Sequence, residues 1–132
     1  MRRWPVVPDV QDRRRAEGHS VIQKTTIDLE RALLGAVMTV GLLPKAPPSP
    51  EEFSVESHRA TWIAILGVAA RDEPPTLLPV SWELAKTGQF ERAGGPVYLA
   101  SHLDLPDCSA LAAYARMVKE AAQLRKLKRL SA

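Results

Sequence analysis

Four prolines, Pro44, Pro47, Pro48 and Pro50, fall within seven residues. Proline fixes φ, removes a backbone donor and pushes the residue before it into extended backbone. Neither a helix nor an internal strand passes through such a segment, so it must be a loop or extended connector. The ordered parts of the chain have to be built on either side of it. Those parts carry the three- and four-residue spacing of helices. Strand alternation is absent over any useful length, and the nearest candidate, Val21 to Ile27, is weak. The pattern predicts an all-α fold.

Before the connector, Thr25 with Asp28 reads as an N-terminal cap. Leu29, Ala32, Leu33, Ala36, Val37 and Val40 then form one apolar face, and Gly41 is a natural stop. After it, Ser49-Pro50-Glu51-Glu52 combines a capping oxygen, a proline suited to the first helical position and a glutamate able to reach back. A helix from about Val55 to Ala70 follows, with Val55, Trp62, Ile63, Leu66 and Ala69 or Ala70 on its apolar side, closed by Asp72-Glu73-Pro74-Pro75. A third helix spans Leu77 to Thr87, with Pro79 tolerated in its first turn and Gly88 at its end. Gly94-Gly95-Pro96 opens a helix from Pro96 to Leu103, and Leu105-Pro106-Asp107 breaks it. Ser109 is placed to cap a final helix from Ala110 to about Leu130, roughly 30 Å long at 1.5 Å per residue. Trp62 and Trp82 are expected in the core. The expected architecture is a compact domain of about five helices ending in a long C-terminal helix.

A chain of 132 residues allows one domain and hardly two. Residues 25–132 are read as that domain. Residues 1–24 are read as a disordered basic tail, because Pro5 and Pro8 interrupt the only apolar run and Arg13-Arg14-Arg15 follows without a helical stripe. Charge is uneven. Residues 1–24 carry six Lys/Arg against three Asp/Glu, residues 25–106 six against ten, and residues 107–132 six against two. Two basic ends thus flank an acidic middle. No stretch approaches the ~20 apolar residues of a membrane span, and no secretory signal is recognisable. With Cys108 as the single cysteine no internal disulfide can form, and a cytoplasmic location is expected.

The chemistry-bearing residues give weak signals. His19, His58, His102 and Cys108 lack the paired short spacing of zinc ligands. Cys108 has no base or orienting group identifiable from sequence. Lys86-Thr87-Gly88 carries its glycine after the pair, whereas a phosphate-cradling loop needs it before. No catalytic, cofactor or metal residue is therefore assigned. The C-terminal run is more informative. Arg125, Lys126, Lys128 and Arg129, with Arg116 and Lys119 upstream, share a helix with Leu124, Leu127 and Leu130. Such cations can contact nucleic-acid phosphates, complement the helix dipole or solvate an apolar helix. The leucine stripe runs past any plausible small core, which favours a partner helix or a second copy. Its burial would hold the partner, with Arg116, Lys119, Arg125 and Lys128 setting orientation by charge. The alternative is a small basic DNA-binding protein using this helix and the Arg13–Arg15 tail.

The order of these pieces resembles the N-terminal domain of the DnaB-type replicative helicases of bacteria and phages. The residues concerned are Asp28-Leu29-Glu30-Arg31-Ala32-Leu33-Leu34-Gly35-Ala36-Val37, then Glu51-Glu52-Phe53 and His58-Arg59-Ala60-Thr61-Trp62-Ile63. Leu84, Gly88 and Gly94-Gly95-Pro96-Val97-Tyr98-Leu99 come next, and Tyr114-Ala115-Arg116-Met117-Val118-Lys119-Glu120 with Arg125 close the series. Together they cover about residues 26–130. The chain departs from the family at Pro74-Pro75-Thr76-Leu77-Leu78, where an aspartate is common, and in the proline-rich connector. It also lacks the second arm of the family's helical hairpin, the linker helix and the ATP-driven motor. The resemblance implies a helical collar domain that pairs with copies of itself, helps recruit primase and responds to the helicase loader. It does not imply unwinding by this polypeptide.

Overall fold

The structure is a computed structural model that describes residues 10–104 and 107–130. Helix α1 spans Val10–Val40, α2 Glu56–Ala70, α3 Leu77–Lys86, α4 Gly95–Ser101 and α5 Leu111–Leu130. Short 3-10 turns at Pro50–Glu52, His102–Asp104 and Cys108–Ala110 lead into or out of these helices. No strand occurs among the described residues, and no helix there is long and apolar enough to cross a membrane.

The first helix departs from expectation. It begins at Val10, so residues 10–24, read as part of a disordered tail, are helical, and Thr25 lies inside the helix rather than at its cap. Residues 1–9 lie outside the described residues. No proline separates Val10 from Val40. Once a helix is nucleated, each added residue gains a hydrogen bond at low cost, so it propagates toward the next barrier. Val21 to Ile27, the weak strand candidate, lies within it. At the other end Gly41 adopts φ +77° and its amide donates to the Val37 carbonyl at 2.7 Å, stopping the helix as expected.

The core forms where α1 meets α2, α3 and α5. Leu33, Leu34, Val37 and Met38 from α1 pack with Trp62, Ile65 and Val68 from α2, Val80 and Leu84 from α3, and Ala115 and Val118 from α5. Phe53 sits 5.2 Å from Trp62 between ring centroids. The Trp62 indole N–H donates to the Pro48 carbonyl at 2.8 Å, so the largest core side chain also ties down the proline connector. Burying side chains of this size contributes about 1.5–3 kcal/mol each.

Three expected core positions face outward. Trp82 is 69% exposed because Val80 and Leu84, two residues to either side, take the buried face of α3. Ile63 is 58% exposed, since Trp62, Ile65 and Val68 define the inward side of α2. Val40, at the last turn of α1, is exposed as well. Cap positions shift slightly. The Glu52 carboxylate does reach back to the Ser49 amide at 2.9 Å and its hydroxyl at 3.3 Å. Before α5, however, the cap is Asp107, whose carboxylate accepts from the Ser109 amide at 3.1 Å and hydroxyl at 2.6 Å.

Candidate interaction site

Two constellations stand out: a buried polar knot that fixes the frame, and the exposed half of α5 that the frame presents. In the knot, Glu30 of α1 is fully buried yet saturated with donors. The Ser54 amide at 2.8 Å and hydroxyl at 2.6 Å donate to its Oε2, and His58 Nδ1 lies 2.8 Å from its Oε1. Burial alone would raise the Glu30 carboxyl, but hydrogen bonds from His58 and Ser54 outweigh it and hold the group below its ordinary range. On the other side of the ring, His58 Nε2 lies 2.7 Å from the Tyr98 hydroxyl and shares a hydrogen bond with it.

The Arg31 guanidinium lies 5.4 Å over the Tyr98 ring and donates to the Ser101 hydroxyl at 3.0 Å and to His102 Nδ1 at 3.3 Å. His102 is itself fully buried, and its Nε2 has no hydrogen-bond partner. Burial, with the nearby His58 and Arg31, pushes its pKa down to about 3. Gly94 makes the knot possible. It adopts φ +99°, and a Cβ there would lie 2.6 Å from the Tyr98 ring. The knot thereby joins α1, α2 and α4 through hydrogen bonds that only this helix arrangement satisfies together.

Helix α5 is held against this frame from one side. Ala115 and Val118 enter the core, and farther along, Arg125 donates to the Glu52 carbonyl at 2.8 Å. The opposite side is open, with Leu124 64% and Leu127 62% exposed. The structure divides the seven predicted site residues. Leu124, Arg125 and Lys128 line a groove of about 480 Å³ whose other wall is Ile22, Ile27 and Val55. Arg116 and Lys119 lie one to two turns earlier, beside Leu43 and Pro44 of the connector, and Arg116 pairs with Glu120 at 3.7 Å on the surface. Leu127 is exposed outside both grooves. The Leu130 side chain lies outside the described residues. Sequence reading missed the α1 wall of the groove. Val21 and Ile22, both 62% exposed, are a visible apolar pair, but they fall in or beside the segment read as a tail.

A bundle of this order, closed by a long helix with bare leucines, can be compared with known proteins. The family model described as the DnaB-like helicase N-terminal domain matches residues 22–120. The chain belongs to this family. The replicative DNA helicase DnaB of Geobacillus stearothermophilus is 38% identical over 110 residues, covering 80% of this chain and 24% of that protein. The replicative DNA helicase DnaC of Bacillus subtilis is 34% identical over 105 residues, covering 76% and 23%. The chain therefore spans about a quarter of the length of the curated relatives it matches. The crystal structure of the N-terminal domain of DnaB helicase from Mycobacterium tuberculosis superposes with a TM-score of 0.70 at 27% identity, covering 78% of this chain and 76% of that one. The all-α architecture is thus that of a DnaB N-terminal domain, and its context is the replicative helicase.

Proposed function

We propose that this DnaB N-terminal domain is a non-catalytic interaction module that acts in DNA replication by self-association and by docking partner proteins. Primase, the helicase loader and full-length helicase are the candidate partners, and the cytoplasm is the compartment where they would meet. The observation that carries this reading is the exposure of Leu124 and Leu127, at 64% and 62%, on a helix whose other side is already seated in the core. Large apolar side chains repeated on an open helix face are unusual for a surface that meets only water. A second copy presents the same surface, so an isologous contact would bury both leucines of each chain.

Magnitudes set the character of that contact. Burying the exposed part of each leucine is worth about 1–2 kcal/mol, or about 4–8 kcal/mol for two copies. Association costs an estimated ~4–15 kcal/mol of lost freedom and ordering. The leucines alone therefore reach at best about −4 kcal/mol, a millimolar contact, and Ile22 of each copy, worth about 2–4 kcal/mol more, is needed to bring the dimer below ~100 μM. Arg116, Lys119, Arg125 and Lys128 would orient the partner by charge, a role that affects rate and register more than affinity.

Sedimentation equilibrium tests the reading. The expected mass rises with concentration from 14.5 kDa toward twice that value, and in Leu124→Ser/Leu127→Ser it stays at the monomer. A wild-type chain that remains monomeric through ~100 μM, or a double variant that associates as well as wild type, would refute it.

A further inference from the structure

Two of the grooves beside α5, the one lined by Leu124 and a further one, share Arg125 but differ in chemistry. The second, about 560 Å³, lies between α5 and the turn that follows the connector, and Glu51, Glu52, Arg59, Arg125, Lys126 and Arg129 line it. Neither Leu124 nor Leu127 does. Two of its cations are fixed in place by neutral groups. Arg59 donates to the Phe53 carbonyl at 2.9 Å, and Arg125 donates to the Glu52 carbonyl at 2.8 Å. A guanidinium anchored on a carbonyl is positioned without having its charge cancelled, unlike one anchored on a carboxylate.

The other features add to the same polarity. Arg125 Nη1 is buried and has no hydrogen-bond partner. Lys126 and Arg129 are exposed and make no ion pair or hydrogen bond among the described residues. The Glu52 carboxylate is tied down by the Ser49 amide and hydroxyl but keeps its charge, as does Glu51, so the four cations exceed the two carboxylates by two. Phe53 on the floor is buried, with 1% exposure, and offers no ring face to a nucleobase.

We propose that this groove is a phosphate-binding site, and that the ligand it fits best is the backbone of a single nucleic-acid strand, held without base recognition. Four cations converge on it. Arg125 and Arg129 stand about one helical turn apart on α5, which suits a ligand that repeats its negative charge. Planar guanidiniums also match phosphate oxygens in pairs, a geometry a lone ammonium cannot offer. Without a stacking platform, affinity comes from charge and falls steeply with salt. The site does not rest on self-association, because neither Leu124 nor Leu127 lines it.

The test is fluorescence anisotropy with labelled oligothymidylate at low salt, in parallel with a calorimetric titration of inorganic pyrophosphate. Lys126→Gln/Arg129→Gln removes two groove charges from exposed positions. Lys45→Gln/Lys86→Gln removes the same total charge elsewhere and serves as the control. The expected result is oligothymidylate binding weakened about tenfold in the groove variant, with the slope against log salt reduced by about 1.4, and little change in the control. Pyrophosphate binding with the same groove dependence, and no oligonucleotide binding, would keep the phosphate site but assign it to a small phosphate. Binding of neither probe, or equal losses in both variants with both folded by circular dichroism, would overturn the site. Leu124→Ser/Leu127→Ser is expected to bind oligothymidylate as wild type does, so failure here and failure of self-association read out separately.

Discussion

Glu30 and the leucines at 124 and 127 break the usual rule of burial in opposite directions. One is a carboxylate with no exposure, and the others are large aliphatic side chains about two-thirds exposed. The carboxylate is tolerated because Ser54 and His58 supply all the donors it needs from within the same chain. The leucines have no such completion, because the frame covers only the other side of α5. The first region is finished by the fold itself, and the second stays open among the described residues, where we propose that another molecule covers it.

The largest effect should come from opening the finished region. His58→Ala would leave Glu30 short of a donor and the Tyr98 hydroxyl without its partner. Breaking a buried, hydrogen-bonded charge in this way costs about 3–5 kcal/mol, a large part of a domain's total stability. Urea unfolding is expected to show an unfolding free energy lowered by that amount, and a loss under ~1 kcal/mol would break the contrast.

The next effect is that of pH. His102 is neutral in the fold down to about pH 3, whereas an unfolded histidine takes up a proton below its ordinary value of 6.5. Between those values the unfolded state binds the extra proton, so stability rises with pH, by at most about 1.4 kcal/mol per unit. Glu30 acts in the same direction lower down. Its depressed pKa contributes stability that is present above the ordinary 4.5 and lost as pH falls through the folded value. Urea midpoints between pH 4.5 and 6.5 are expected to climb, and to climb less in His102→Gln. A flat profile would mean that His102 is not held neutral by burial.

The smallest effect belongs to the surface. Trp82 is 69% exposed, so Trp82→Ser is expected to change monomer stability by no more than about 0.5 kcal/mol. A loss of several kcal/mol would return Trp82 to the core where the sequence pattern alone had put it.

That position illustrates what could be read from sequence. Helix stops were legible wherever a single residue type carries the physics, as at Gly41 and the Pro44–Pro50 connector. The order of motifs from Asp28 to Arg125 was legible as a family pattern. Facing was harder, because Trp82 and Ile63 carry all the hydrophobicity of core residues while Leu84 and Ile65 compete for the same buried side. The start of α1 was illegible for another reason, as residues 10–24 lack an apolar stripe and are joined to the helix by propagation. The knot was hidden because Glu30, His58, Tyr98 and His102 are far apart in sequence, and only packing shows that each satisfies the next. The bare leucines and the basic run on α5 were visible, but their separation into an apolar and a cationic groove needed Ile22 on one side and the Phe53 turn on the other.

The central claim, that the outer half of α5 is completed by another molecule, is tested most directly by thermal unfolding of the wild-type chain across a wide range of protein concentration. Association of folded chains raises the midpoint by mass action. The midpoint is expected to rise with concentration in the wild type and to stay constant in Leu124→Ser/Leu127→Ser. A wild-type midpoint that does not move with concentration, equal to that of the double variant, would contradict it.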